Sequence, residues 1–295
     1  MKKKAAIVTG GTANDVPAMA CLVMNIKDTN PNLADEVVIY HDGISKKDQR
    51  LINEIFPTRF ILYESPFADV KDFGSVVTNY FSPMVFCKYE CFKLLDEYEC
   101  VVWTDYDVVI LQDLSELKIR VANGIRMDIS KGSHVLESFR GNVDQLLNEY
   151  DLSTEGVSMG IFCLFDNLAN SKLIYEFCIK TTKKLSSYLF LPEQAIINLM
   201  IQKFALELRT NNLLGKKYTA HPIHDKHVQN IKIFHAYGQP KFWNGLYNGI
   251  WEKNYRKWIK MGGTPYEHRT LTGKIRAVLR RCYSIKAIRK IIKTK

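Results

Sequence analysis

Over its first 110 residues the chain alternates short apolar runs with segments whose apolar residues recur at helical spacing. Ala5–Val8 is an apolar run closed by Gly10-Gly11. Val16, Met19, Leu22, Val23 and Ile26 then fall on one face of a helix. Val37–Tyr40 is rich in β-branched residues and ends at the turn signal His41-Asp42-Gly43. Ser45 is placed to cap the helix that follows, through Ile55. Phe60–Leu62 reads as a third strand. Ser82-Pro83 opens a further helix to about Tyr98, with the cap before a proline at the first helical position. Cys100–Thr104 is a continuous apolar strand that stops at Asp105. Strands alternating with helices imply α/β layers around a largely parallel sheet. Further on, Val157–Phe165 reads as a buried strand, Leu191–Leu206 as a helix and Ile231–Phe234 as a short strand ending at His235. Residues 242–267 are aromatic-rich and loop-like, and no repeat, low-complexity linker or clear domain break precedes residue 245.

With 295 residues the chain can bury one large core or two modest ones. Its longest apolar runs fall short of the ~18 residues of a membrane span. The Met1–Lys4 start and the Ala5–Val8 run resemble a signal peptide briefly, but a secretory core needs ~7–15 apolar residues, so a first strand is expected instead. The seven cysteines are odd in number and form no C-x-x-C. Cys87 and Cys91, at i and i+4, could supply half a metal site; free buried thiols in a reducing cytoplasm are the simpler reading. The net charge of +10 is concentrated at one end: residues 268–295 hold ten Lys/Arg and no acid, which leaves 31 basic against 31 acidic residues in the remainder. A locally acting basic tail follows, not a generally basic protein.

Two constellations carry chemistry. Asp105-Tyr106-Asp107 follows the buried strand, and in extended geometry both carboxylates leave on the same side. Ligands of open α/β sheets bind beyond the carboxyl ends of the strands, where this pair lies. Adjacent carboxylates repel unless a cation joins them, and a divalent cation could bridge them to a diphosphate. A polar turn after a strand would also produce this pattern. The second constellation is His235-Ala236-Tyr237-Gly238-Gln239-Pro240-Lys241-Phe242-Trp243. His235, at a strand end, offers a third ligand or serves as a structural loop histidine. One nitrogen added to a carboxylate site shifts preference from Mg²⁺ toward Mn²⁺. Gly238 lets backbone approach a phosphate and Lys241 adds a point charge.

These segments and their order resemble glycosyltransferase family 8, retaining enzymes that include bacterial lipopolysaccharide galactosyl- and glucosyltransferases. The resemblance runs over about residues 5 to 245. It comprises Ile7-Val8-Thr9 with Asn14; His41-Asp42-Gly43-Ile44-Ser45; Ser82 to Leu95; Trp103–Asp107 with Asp113–Leu117; Ser158-Met159-Gly160; Glu193-Gln194 with Asn198; and His235-x-x-Gly238-x-x-Lys241-x-Trp243. It implies a single GT-A domain, a Rossmann-like α/β fold with a mixed central sheet, over residues 1–245, with 246–295 as an aromatic and basic extension. It implies Asp105, Asp107 and His235 as ligands of Mn²⁺, or of Mg²⁺. It implies Gly238 and Lys241 as the diphosphate loop, and Thr9, Gly10 and Asn14 as nucleotide contacts. Lys88, Tyr106, Ser158 and Gly160 are further expected around the nucleotide sugar, Gln194 near the anomeric carbon, and Asp128 at the sugar or acceptor. The chain departs from the family pattern at Lys88, where Arg is usual, and at Ser158, where Asn is common. Thr12-Ala13 replaces an acidic pair, and Glu193-Gln194-Ala195 replaces Asp-Gln-Asp. Lysine lacks arginine's bidentate geometry, so these departures bear on the donor sugar more than on the reaction.

The implied activity is transfer of a hexose, galactose or glucose, from a UDP-sugar to a glycan or lipid-linked saccharide, in lipopolysaccharide or surface-polysaccharide synthesis. In the tail, Leu271, Ile275, Val278, Leu279, Cys282, Ile285, Ile288, Ile291 and Ile292 form one helical stripe among basic residues. Such helices lie in membrane interfaces. Residues 268–295 are therefore expected to dock on anionic lipid, placing the enzyme in the cytoplasm at the inner face of a bacterial membrane; nucleic acid is not an expected partner. Two other readings exist: a non-catalytic, membrane-associated module that binds nucleotide sugars, and an NAD(P)-dependent reductase. The reductase rests on Thr9-Gly10-Gly11 and Tyr89-x-x-x-Lys93, but lacks the further glycines of a dinucleotide fingerprint.

Overall fold

The computed structural model describes residues 2–74, 77–78, 81–208 and 212–275. Its centre is a six-stranded sheet in the order β3-β2-β1-β4-β7-β6. The strands are β1 (Lys3–Gly11), β2 (Glu36–His41), β3 (Thr58–Leu62), β4 (Tyr98–Thr104), β6 (Ile125–His134) and β7 (Glu155–Phe165). The pairs β1–β2, β2–β3 and β1–β4 are parallel, as the strand–helix alternation predicts. β7 runs antiparallel to both β4 and β6, so the sheet is mixed, as the family resemblance implies, and less uniformly parallel than the strand–helix alternation alone suggests. A separate ribbon pairs β5 (Val108–Ile110) with β8 (Ile233–His235), in antiparallel register Val108↔His235.

Both faces of the sheet are covered. On one lie α1 (Val16–Thr29) and α2 (Lys46–Ile55), packed on Ile7, Val37, Ile39 and Val102. The Ser45 hydroxyl caps α2, accepting from the Asp48 N–H at 3.1 Å, as its position in sequence indicates. On the other face lie the segment 83–94, α4 (Ser171–Leu185) and α5 (Pro192–Lys203), packed on Val8, Trp103 and Phe162. The helix expected from Ser82 to Tyr98 is instead a 3-10 helix, Pro83–Glu90, followed by the single α-turn α3, Cys91–Leu94. The tighter winding buries Met84, Phe86, Cys87, Lys88, Tyr89 and Glu90.

Residues 242–267 are not loop throughout. Gly249–Lys260 forms α6, whose start is capped by Asn248, accepting from the N–H groups of Ile250 and Trp251. Trp251, Tyr255 and Trp258 recur at i, i+4 and i+7 and are all buried. The large aromatics and neighbouring glycines masked a helical period that the buried face makes plain. The six described cysteines are free and buried. Cys87 and Cys91 are fully buried, burial pushes their thiols well up, and among the described residues no further ligand gathers with them into a metal-binding group. Leu271 and Ile275 of the basic tail are exposed; the remainder of the expected helix, from 276 on, lies outside the described residues. No described helix is long and apolar enough to cross a membrane.

Candidate functional site

β4 ends at Thr104, and the next residue is held by the neighbouring strand: the Asp105 N–H donates to the Gly160 carbonyl of β7 at 2.9 Å. The chain then turns through Tyr106 into β5. Because Val108 is in register with His235, the ribbon carries the imidazole to the two carboxylates. The Ala236 N–H donates to the Asp107 carbonyl at 2.9 Å and closes the ribbon. Asp105, Asp107 and His235 each offer a ligand atom, and these atoms lie within 4.8 Å of one another.

The orientation of each side chain is set by donors behind it. Asp105 Oδ1 accepts from the Trp103 indole at 2.9 Å and faces Lys88 Nζ at 3.2 Å. Its other oxygen, Oδ2, lies 3.6 Å from His235 Nε2. Asp107 Oδ2 is taken by the Lys241 ammonium, while Oδ1 lies 3.2 Å from His235 Nε2. One oxygen of each carboxylate is thus neutralised, and the other is turned toward the imidazole. The imidazole is aimed by Gly160: a Cβ there would fall 2.3 Å from His235 Cε1 and 2.5 Å from Nδ1. The Cε1–Nδ1 edge therefore rests on the glycine, and Nε2 faces the acids. Burial alone would raise the Asp107 carboxyl; the His235 imidazole and Lys241 ammonium outweigh it and hold it well below the usual carboxylate range. Two charged oxygens and one imidazole nitrogen, all at the carboxyl end of the sheet, fit a divalent cation.

The other expected residues fall around this centre in different ways. Lys88 is buried and bridges Asp105 to Glu193 Oε1, at 2.7 Å. Burial would lower its ammonium, but Asp105 and Glu193 push it up, so it stays charged. Gln194 follows Glu193 in the first turn of α5 and is half-buried. Thr9, buried, and Gly10 lie at the end of β1, and Asn14 is exposed on the turn beyond it. Gly10 allows close packing, since a Cβ would lie 2.4 Å from Cys87 Sγ. Tyr106 is directed toward Asp15 and stacks on Trp243, with ring centroids 6.0 Å apart. Asp128 and Ser158 are cross-strand partners on β6 and β7. Burial raises the Asp128 carboxyl, partly offset by the Thr219 hydroxyl that donates to it at 2.6 Å. Gly238 is exposed, at φ +70° with open space beside it. Lys241 folds back: besides Asp107, its ammonium donates to the Ala236 carbonyl at 2.8 Å.

Trp103 and Glu193 fall within segments that carry the family resemblance, but the sequence assigns neither of them a role in this centre. Trp103 precedes Asp105 by two residues and so shares its side of the strand, a signal that was available. The Lys88–Glu193 pair spans 105 positions and carries no local signal. Tyr89, half of the reductase-like pair, is sealed in the core against Thr182 at 3.1 Å.

A sequence profile of Glycosyl transferase family 8 matches residues 6–246. The chain belongs to this family. It is a glycosyltransferase with a GT-A fold, and the match spans every element that brings Asp105, Asp107 and His235 together. Solved structures agree on the fold. LgtC, a galactosyltransferase crystallised with donor and acceptor sugar analogues, superposes with a TM-score of 0.62 at 12% identity, covering 90% of this chain and 99% of that one. The bifunctional glycosyltransferase WbbM gives 0.63 at 13% identity over 89% of this chain, which spans about half of it (52%). GlyE of Streptococcus pneumoniae TIGR4 gives 0.53 at 16% identity, covering 88% and 64%. A search of curated proteins finds no match.

Proposed function

We propose that this family 8 enzyme is a retaining hexosyltransferase that moves galactose or glucose from a UDP-sugar to a glycan or lipid-linked saccharide, in lipopolysaccharide or surface-polysaccharide assembly. The observation that supports it is the convergence of Asp105 Oδ2, Asp107 Oδ1 and His235 Nε2, with Lys241 beside them. The mixed oxygen and nitrogen set suits Mn²⁺, with Mg²⁺ the alternative. Bound there, the cation supplies Lewis-acid stabilisation of the departing diphosphate. Lys241 adds a fixed positive charge at the same place, and the Gly238 backbone can approach the phosphates closely. Thr9, Gly10, Asn14 and Tyr106 receive the nucleotide. Lys88, Ser158 and Gly160 lie on the sugar side, with Gln194 toward the anomeric carbon and Asp128 toward the sugar or acceptor.

The Gln194 amide is a weak nucleophile, which favours a front-face route. The bond from the anomeric carbon to the phosphate oxygen breaks as the bond to the acceptor oxygen forms on the same face. The acceptor's proton passes to the leaving phosphate. A covalent glycosyl adduct trapped on a carboxylate would overturn this route. Residues 268–295 dock the enzyme on the anionic inner face of the membrane, where each basic residue that reaches the lipid contributes ~1 kcal/mol, Arg269 being engaged with Glu252 and the 242–243 backbone instead. The uncovered Leu271 and Ile275 are consistent with an apolar face that takes up lipid. Deleting 268–295 should abolish cosedimentation with anionic vesicles; unchanged cosedimentation would sink this docking. The activity is tested with a panel of UDP-sugars, each with and without Mn²⁺. Slow Mn²⁺-dependent release of UDP from a UDP-hexose is expected, and no turnover of any donor would contradict the proposal.

A further inference from the structure

The family match ends at residue 246, yet the segment that follows is built against the loop that carries Gly238 and Lys241. α6 lies on α1, with Asn254 Nδ2 donating to the Cys21 carbonyl at 3.3 Å. The chain then turns back under Trp258, whose indole donates to the Thr264 carbonyl at 2.8 Å. Thr264 is fastened to α2: its N–H and hydroxyl donate to the Asp48 carboxylate at 3.0 and 2.7 Å. The returning segment is thus anchored before it reaches Arg269.

The Arg269 guanidinium joins α6 to the loop. Its Nε donates to the Trp243 carbonyl at 2.8 Å and Nη2 to the Phe242 carbonyl at 3.2 Å. On the other side Glu252 accepts from Nη1 at 3.0 Å and from Nη2 at 2.7 Å. Cζ lies 4.8 Å from the Trp251 ring centroid and 5.0 Å from that of Tyr255. The two carbonyls belong to the residues directly after Lys241. The Trp243 ring also stacks on both Tyr106 and Tyr266, at centroid distances of 6.0 and 5.5 Å. The loop is thereby held from behind at its backbone and at its aromatic side chain.

We infer that Arg269 is a positioning residue, which fixes the backbone at Phe242–Trp243 so that Lys241 and Gly238 meet the donor diphosphate in one conformation. This rests on the reading of 238–241 as the diphosphate loop. A planar fork reaches two successive carbonyls and a carboxylate at once; a lysine ammonium does not. Without the fork the Phe242 carbonyl turns to water and the Trp243 carbonyl keeps only His268 Nε2, at 2.8 Å, so the loop loses its tie to α6 and samples several conformers. Apparent affinity then falls by the fraction of chains holding the competent one. The catalytic unit accordingly extends past the family match to Arg269.

The test uses the full-length chain with Arg269→Ala, Arg269→Lys and Glu252→Gln, titrated with UDP in the presence of Mn²⁺ by calorimetry. Hydrogen exchange is followed alongside at the amides of 236–246. Arg269→Ala should weaken UDP binding about tenfold, as expected for one lost set of charge-assisted bonds. Exchange should quicken in 236–246 and stay unchanged in β1 and β4. Arg269→Lys should restore less than half of the loss. Folded Arg269→Ala with wild-type UDP affinity would overturn the inference, because a merely structural arginine moves the melting temperature and not the affinity of the folded chain. If Arg269→Ala does not fold, Glu252→Gln carries the test: weaker UDP binding with faster loop exchange supports the inference, and unchanged values overturn it. A wild-type chain that binds no UDP with Mn²⁺ would instead overturn the reading of the loop itself.

Discussion

Gly160→Ala tests whether a glycine aims the His235 imidazole at Asp105 and Asp107. Gly160 lies in β7, and its carbonyl already holds the Asp105 N–H. An added Cβ would stand 2.3 Å from His235 Cε1 and 2.5 Å from Nδ1. Nonbonded carbons settle at about 3.5–4.0 Å, so the ring must retreat by about 1 Å or more. It has little freedom to do so, because the His235 N–H donates to the Ala220 carbonyl at 2.9 Å and β8 is paired with β5. Metal–ligand distances tolerate only about ±0.2 Å. The overpacking should cost ~1–3 kcal/mol of stability. Mn²⁺ affinity should fall ~10–100-fold, the range seen when a ligand loses its orienting contacts. The assay is titration of Mn²⁺ by electron paramagnetic resonance, with thermal melts, on Gly160→Ala beside His235→Ala. Gly160→Ala should remain folded and approach His235→Ala in its loss of Mn²⁺. Wild-type Mn²⁺ affinity with an unchanged melting temperature would refute the contact.

Trp103→Phe removes the indole that occupies Asp105 Oδ1 and should weaken Mn²⁺ binding about tenfold while the fold persists; equal affinity would show that this hydrogen bond does not orient the carboxylate. Burial alone would raise the Glu116 carboxyl, but Lys232 and Tyr218 outweigh it and hold it at about 2, below its ordinary 4.5. A depressed carboxyl stabilises the fold above the unfolded-state value and loses that stabilisation as pH falls through the folded one. Glu116→Gln should therefore lower the melting temperature at pH 7, with the gap to wild type narrowing between pH 4.5 and about 2; a gap constant with pH would contradict this. Trp258→Ala, at a fully buried position, should cost ~3–5 kcal/mol by denaturant unfolding, whereas a loss under about 1 would mean that α6 is a peripheral appendage.

Much of the frame was legible because it is local. The apolar run 100–104 ends at Asp105 in the structure as in the sequence, and Ser45 caps α2 as its position indicates. The direction of β7 was not legible, since a buried strand has the same composition whether it runs parallel or antiparallel. The 3-10 winding of 83–90 is not legible, because proline after serine announces a helix start but not its winding. α6 was hidden by aromatic and glycine content that suggests loop. At the site, Asp105 and Asp107 stood out by spacing. His235 became convincing only with its following loop, since the pairing of β5 with β8 that joins them spans more than 120 residues. Lys88 is expected beside the nucleotide sugar, but its bridge between Asp105 and Glu193 is set by the packing of α5 against the segment 83–90 and has no local signal. Arg269 lies beyond the recognisable family pattern, and its partners in the loop are the main-chain carbonyls of Phe242 and Trp243, which leave no trace in side-chain motifs.

The central claim is that Asp105, Asp107 and His235 bind the cation through which the diphosphate is held. Its most direct test is equilibrium binding of Mn²⁺, with and without UDP, to the wild-type chain and to Asp107→Asn. The wild type should bind a single Mn²⁺ that UDP makes tighter, and Asp107→Asn should lose both the site and the enhancement. Equal Mn²⁺ binding and equal enhancement by UDP in the two proteins would contradict the account.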